Sequence, residues 1–201
     1  MPPAQRSSDT TGLRERKRAK VRREIQANAL RLFREQGYEA TTVQEIAEAA
    51  VISESTVYRH FSTKADIVMS DDLDPVFVQV FRAQPPESSA VEAIRAAMTT
   101  VLGAMSAEDK ARQRELLELV LSVPDLRATM LNQLADGIQL LADELGLRTG
   151  RPADDPPVRA LAGAVVGAAT AVMFAVAADK NADLATMADE AIGALGAGLA
   201  L

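Results

Sequence analysis

The sequence predicts an all-α protein of about nine helices, arranged as a small N-terminal helical domain and a larger C-terminal one. Three observations carry this. Apolar residues make up 48% of the 201 residues, enough to build a substantial core. They recur at three-to-four spacing, and no run alternates with the period of a strand. The 11 glycines and 9 prolines fall mainly at the edges of these runs, where they delimit helices.

Taken in order, residues 1–13 read as a disordered arm. Residues 14–23, RERKRAKVRR, hold seven basic side chains against one Glu. They lead into a first helix with Val21, Ile25, Ala29, Leu32 and Phe33 on one face. Gly37 suits its C-terminal stop, because glycine enters the left-handed region cheaply. Thr42-x-x-Glu45 is a capping-box pattern for a short helix through Ala49. Ser53 is an N-cap for a second short helix through His60, and Thr63-x-x-Asp66 caps another from Lys64.

Pro75 kinks or restarts that fourth helix, and Gln84-Pro85-Pro86 ends it. Ser89-x-x-Glu92 caps a fifth helix to about Met105. A sixth spans Ala107 to Leu121, and Pro124 opens a seventh that reaches about Leu147. Residues 150–157 read as a loop, followed by helices over Val158–Ala178 and Leu184–Leu199. This divides the chain into an arm (1–13), a small helical domain (14–65) and a second domain (66–201).

Charge is unevenly placed. Residues 1–64 carry 12 Lys/Arg and 8 Asp/Glu, whereas residues 65–201 carry 10 and 20. The whole chain is acidic, but nucleic-acid binding depends on the local patch. The basic run suits an arm that tracks the DNA backbone or enters a minor groove; a solvated tail is the competing reading.

Thr41–Phe61, TTVQEIAEAAVISESTVYRHF, reads as helix, turn, helix. Val43, Ile46, Ala47 and Ala50 form the inner face of the first helix. Ile52 plugs the turn, and Val57 and Phe61 face inward from the second. Glu54, Ser55, Thr56, Tyr58, Arg59 and His60 are left facing outward, small or polar groups suited to a major groove. Hydroxyls of Thr42, Ser53 and Tyr58 suit phosphate oxygens, as do backbone N–H groups at the helix starts near Ser53 and Lys64.

This segment resembles the TetR family of repressors. Ile25, Ala29, Leu32, Phe33, Glu35, Gly37, Tyr38, Thr41, Thr42, Val43, Ile46, Ala47, Ala50, Ser53, Thr56, Tyr58, His60, Phe61 and Lys64 match its pattern in order and in register. The resemblance implies that Thr42, Tyr58, His60 and Lys64 touch phosphates. It places Ser53, Glu54, Ser55, Thr56 and Arg59 nearest the bases. One position departs: Val51 stands where the family has a turn glycine. A β-branched residue disfavours positive φ, so either a different turn geometry or strain is expected there.

Residues 160–178, ALAGAVVGAATAVMFAVAA, form 19 residues without a charge. A transmembrane span needs about this length. The run is rich in Ala and Gly, however, and lacks flanking aromatic or basic belts, so no membrane association is expected. Gly163, Gly167 and Ala171 instead make a flat face that another helix can approach closely. By the family resemblance, the last two helices pair across a two-fold axis to make a homodimer, with Ala191, Leu195 and Leu199 on the final helix.

The resemblance also implies a small-molecule effector pocket. Its candidate walls are Met98, Leu102, Met105, Leu117, Val120, Leu121, Met130, Leu134, Ile138, Val166, Met173 and Phe174, an adaptable apolar set. Residues 114–117, 124–127 and 150–155 resemble a subgroup that senses acyl-CoA-like molecules and includes the regulator of mycofactocin genes. Arg114 or Arg127 suits the phosphates of such a ligand.

An enzyme is disfavoured. Cysteine is absent and there is one histidine. Neither a Gly-rich phosphate loop nor a set of metal ligands at productive spacing occurs, so no cofactor or metal is expected. Asp71-Asp72 and Asp154-Asp155 read as solvated charge. MPPAQRSSDT lacks the apolar core of a secretory signal, so a cytoplasmic protein is expected. The reading is of a ligand-responsive repressor, binding a palindromic double-stranded DNA operator as a homodimer.

Overall fold

A computed structural model of the protein describes residues 6–70, 73–179 and 181–198, the side chains of 6–16 and 73 excepted. Among the described residues there are ten α-helices and no strand. They are α1 (Arg6–Gln36), α2 (Val43–Ala49), α3 (Glu54–His60), α4 (Lys64–Met69), α5 (Leu73–Arg82), α6 (Ala90–Gly103), α7 (Ala107–Ser122), α8 (Pro124–Thr149), α9 (Pro156–Ala178) and α10 (Leu184–Gly196). The chain forms two compact units, Met1–Ser70 and Asp71–Leu201.

The four capping patterns legible in the sequence are all made. Thr42 with Glu45, Thr63 with Asp66 and Ser89 with Glu92 close reciprocal capping boxes, and the Ser53 hydroxyl accepts the Thr56 N–H. Each satisfies donors that a helix start leaves open.

Several boundaries differ from expectation. Residues 6–13 continue α1 instead of forming a disordered arm; residues 1–5 lie outside the described residues. Once a helix is nucleated by packing, each added residue gains a hydrogen bond at little further cost. Leu13, Arg14 and Arg16–Lys20 are good helix formers. The segment containing Pro75 restarts as α5, raising the count to ten. The first unit ends at Ser70, not at residue 65, because the Gln26 amide on α1 donates to the carbonyls of Ile67 and Ser70. The loop before α9 is shorter than expected, since Pro156 and Pro157 occupy its first turn, where a missing N–H is no loss.

In the first unit, α1 packs on α2 and α4, and α2 on α3. Ile25, Ala29, Leu30 and Phe33 of α1 are buried with Ile46, Ala47, Val57, Phe61, Ile67 and Val68.

In the second unit, one core joins Phe81 of α5, Ala93, Ile94 and Ala97 of α6, and Leu141, Ala142 and Leu145 of α8. Val158, Ala162 and Val165 of α9 and Ile192 of α10 complete it. A smaller cluster holds Leu102, Val172, Val176 and Ala188. Gly146 is needed where α8 ends, because a Cβ there would lie 2.8 Å from the Arg151 carbonyl oxygen.

Glu144 is only 5% exposed, and Arg82 grips it with a two-pronged fork, Nε to Oε2 at 2.7 Å and Nη2 to Oε1 at 2.6 Å. This clamps α5 to α8. A buried carboxylate left without its partner is strongly unfavourable. Arg82→Ala is therefore expected to lower the urea midpoint of the second unit more than Glu144→Leu, which removes the buried charge itself. Equilibrium unfolding of the two variants compares them, with Arg82→Lys expected between Arg82→Ala and wild type because it keeps charge but loses the fork.

Candidate functional site

The recognition element is α3, a seven-residue helix. Alone, a helix this short has no stability in water. Its start is held by Ser53, whose Oγ accepts the Thr56 N–H at 3.2 Å and lies 2.9 Å from both Ser55 Oγ and Thr56 Oγ1. Its end is held by α1. Arg22 Nη1 donates to the His60 carbonyl at 2.8 Å while its guanidinium lies 4.4 Å from the centre of the Phe61 ring. With Val57 and Phe61 buried, Glu54, Ser55, Tyr58 and Arg59 are exposed, and Thr56 and His60 are half-buried. Four of the six residues expected to face outward are thus exposed.

The turn between α2 and α3 resolves the alternatives at Val51. Its φ is +57°, the left-handed region, and the side chain is 90% exposed. The Val51 N–H donates to Glu48 O at 3.1 Å and the Ile52 N–H to Ala47 O at 3.0 Å. This is the Schellman pattern, the usual glycine-bearing helix end. The ordinary turn geometry is kept, and the strain is accepted, roughly 1–2 kcal/mol for a non-glycine residue.

Two expected phosphate contacts are already engaged. Lys64 Nζ lies 2.7 Å from Tyr38 O, 3.0 Å from Thr41 O and 3.4 Å from Glu39 O, and 4.2 Å from the centre of the Tyr38 ring. Three ammonium donors meet three carbonyls, so in this arrangement Lys64 ties down the α1–α2 loop. The Thr42 hydroxyl donates to Glu45 Oε2 at 3.0 Å and accepts the Glu45 N–H. A phosphate oxygen only accepts, so it must displace Glu45 to receive that proton. The Thr42 backbone and side-chain bonds hold the Glu45 carboxyl below its ordinary range.

His60 Nδ1 is buried and finds no hydrogen-bond partner among the described residues. Burial first, then the charges of Arg59, Arg18 and Arg22, push its pKa below the ordinary 6.5.

Arg22 belongs to the basic run read as a DNA-tracking arm or a solvated tail, and the structure instead sets it on the end of α3. Gln26 was not singled out by sequence; the available signal was its position beside Ile25 and one turn before Ala29, next to a helix face that reads as apolar. Gln26 is 7% exposed, and a buried amide must have partners.

A family model described as bacterial regulatory proteins, tetR family, matches residues 25–69. A second, described as the MftR C-terminal domain, matches residues 88–200, more than half of the chain. The chain belongs to the TetR family. The transcriptional regulator TcmR of Streptomyces glaucescens is 32% identical over 161 residues, spanning 76% of this chain and 71% of its own. The mycofactocin biosynthesis regulator MftR of Mycobacterium tuberculosis is 25% identical over 187 residues, spanning 92% and 93%. The crystal structure of Thermus thermophilus FadR, a TetR-family repressor in complex with lauroyl-CoA, shares the fold. Its TM-score is 0.55 at 24% identity, over 90% of this chain and 95% of that one. This TetR-family protein is thus a transcriptional regulator with a helix-turn-helix DNA-binding domain and a helical ligand-binding domain, and its relatives are regulators rather than enzymes.

The residues expected around an effector are spread differently. Leu102, Leu117 and Val120 are buried, and Leu121, Met130 and Leu134 are half-buried. Ile138 and Val166 pack on the larger core, Met105 on the smaller, and Met98 on both. Met173 and Phe174 are instead 44% and 40% exposed, on the outer side of α9. At 100° per residue Phe174 lies about 160° from both buried Val172 and Val176, while Met173 flanks Val176 at about 60°. An open depression of about 510 Å³ lies at the end of α8, lined by Asp143, Gly146, Leu147, Gly150, Arg151 and Ala153. None of these is an expected pocket residue.

Gly167 and Ala171 are exposed and Gly163 is half-buried; a Cβ on either glycine would meet nothing within 4 Å. Ala191 and Leu195 pack in part against the chain's own clusters, and Leu199 lies outside the described residues.

Lys64→Ala removes donors from three carbonyls. It is expected to lower the stability of the DNA-binding unit by about 1–3 kcal/mol, read by chemical denaturation. An unchanged stability would return Lys64 to a phosphate-binding role.

Proposed function

We propose that the protein is a homodimeric repressor that binds a palindromic DNA operator and is released from it by a small apolar or acyl-CoA-like effector. The observation that carries the dimer is the outer face of α9. Ala160, Ala164, Gly167, Ala171, Phe174 and Ala178 are all exposed and recur at alternating four- and three-residue steps, the spacing of a helix-pairing seam. α9 is also long and apolar enough to cross a membrane by length and composition alone. Its inner face, with Val158, Ala162, Val165, Val172 and Val176, is buried within the second unit. A second copy on the outer seam accounts for the rest of its apolar surface in water, and such a regulator acts in the cytoplasm.

Two copies would set two α3 helices in successive major grooves, roughly 34–36 Å apart. Glu54, Ser55, Thr56 and Arg59 reach base edges, while Tyr58 and His60 reach phosphates. Ser53 serves chiefly as the N-cap. Thr42 joins the phosphate contacts by exchanging Glu45 for a phosphate. An effector that binds best to a conformation with the wrong spacing lowers DNA affinity by shifting the population. Support for its chemistry comes from the match to the MftR C-terminal domain and from the lauroyl-CoA held by FadR. Met98, in contact with both core clusters, is a side chain that re-packs readily if a ligand parts them.

Fluorescence anisotropy on upstream intergenic DNA, across a salt series and against a scrambled duplex, tests the reading. Tight binding to the native duplex with a palindromic footprint is expected, with release by acyl-CoA of suitable chain length. Equal affinity for both duplexes would overturn it. Ala171→Glu, which places charge on the seam, is expected to give a monomer by light scattering and weaken operator binding at least tenfold, since each half-site then binds alone.

The pH dependence follows from His60. A phosphate favours the imidazolium, so the DNA-bound pKa lies above the depressed free one and binding takes up a proton. Affinity is greatest below the free pKa and falls as pH rises through the bound pKa. Proton uptake between the free and the DNA-bound pKa of His60 is expected for wild type, and His60→Gln should abolish it.

A further inference from the structure

The backbone of Val51 closes the Schellman turn, but its side chain packs on nothing inside the chain. Val51 holds φ at +57° with its side chain 90% exposed, so no packing offsets the unfavourable backbone. Glycine would make the same turn without strain, so a strained valine whose side chain is exposed points to a role outside the fold. Val51 lies in the turn, two residues before Ser53, the N-cap of α3. It therefore borders the end of the recognition helix that leads into a groove.

The chemistry of that end is specific. The Ser53 hydroxyl is committed to Thr56 N and shared with Ser55 and Thr56. Glu54 is the charged group of the first turn, and it repels phosphate. The Val51 methyls are the large apolar group exposed beside them. Phosphates offer no favourable contact to methyl groups. In the major groove, the apolar group that a base pair presents is the 5-methyl of thymine.

We infer that Val51 is a specificity-determining residue whose methyl groups contact the 5-methyl of a thymine in each operator half-site. This rests on the DNA-binding reading above. The strained turn then aims a side chain at the DNA where glycine would offer none.

The test uses the full-length protein and its footprinted operator, with thymines replaced one at a time by 2′-deoxyuridine, which lacks the methyl. Wild type is expected to lose about fourfold in affinity per half-site at one thymine position, the scale of one buried methyl. Val51→Gly should lose a similar factor on the unmodified operator and become indifferent to the replacement, while its thermal stability rises because the strain is relieved. Binding and stability then move in opposite directions, which a folding defect cannot produce. Val51→Ala, which keeps a non-glycine backbone but lacks the γ-methyls, should match Val51→Gly in binding. Thymine discrimination retained by both variants, or an operator indifferent to every replacement with wild type, overturns the assignment while leaving the DNA-binding reading intact. Absence of any sequence-selective binding by wild type overturns that reading, and this inference with it.

Discussion

The DNA-binding unit depends on satisfying the carbonyl ends of helices too short to stand alone. α2, α3 and α4 have six or seven residues each, so most of their backbone groups lie in a first or last turn. Their starts are capped by their own sequences. The ends of α3 and α4 are capped from α1, by Arg22 on the His60 carbonyl and Gln26 on those of Ile67 and Ser70. One long helix, stabilised by burial of Ile25, Ala29, Leu30 and Phe33, is thereby the frame that orients the recognition surface.

The same economy bears on two residues of the DNA-binding pattern. Lys64 stands where a charge suits phosphate, yet its ammonium is engaged by the carbonyls of the α1–α2 loop, and the Thr42 hydroxyl is held by Glu45 until a phosphate replaces it.

The second unit divides one helix between two tasks. The inner face of α9 completes the core with α8 and α10, and the outer seam keeps only small side chains and Phe174. Small residues on both sides explain why this helix looks like a membrane span by composition. Burial inside and a flat seam outside make the same demand for few polar groups.

The helical class, the caps of α2, α3, α4 and α6, and the family were legible in the sequence, because they rest on local spacing and on side chains that bond within one turn. Thr42, Ser53, Thr63 and Ser89 each act on a backbone three residues away. Val51 was legible as a conflict, a β-branched residue where the turn needs positive φ, but not its outcome. Only the tertiary structure decided that the Schellman turn wins over the residue's preference. It also decided that Arg22 and Gln26 hold α3 and α4, that Arg82 clamps Glu144 across 62 positions, and that Met173 and Phe174 face outward. These contacts join residues far apart in the chain, and no local periodicity records which distant carbonyl or carboxylate a side chain will reach.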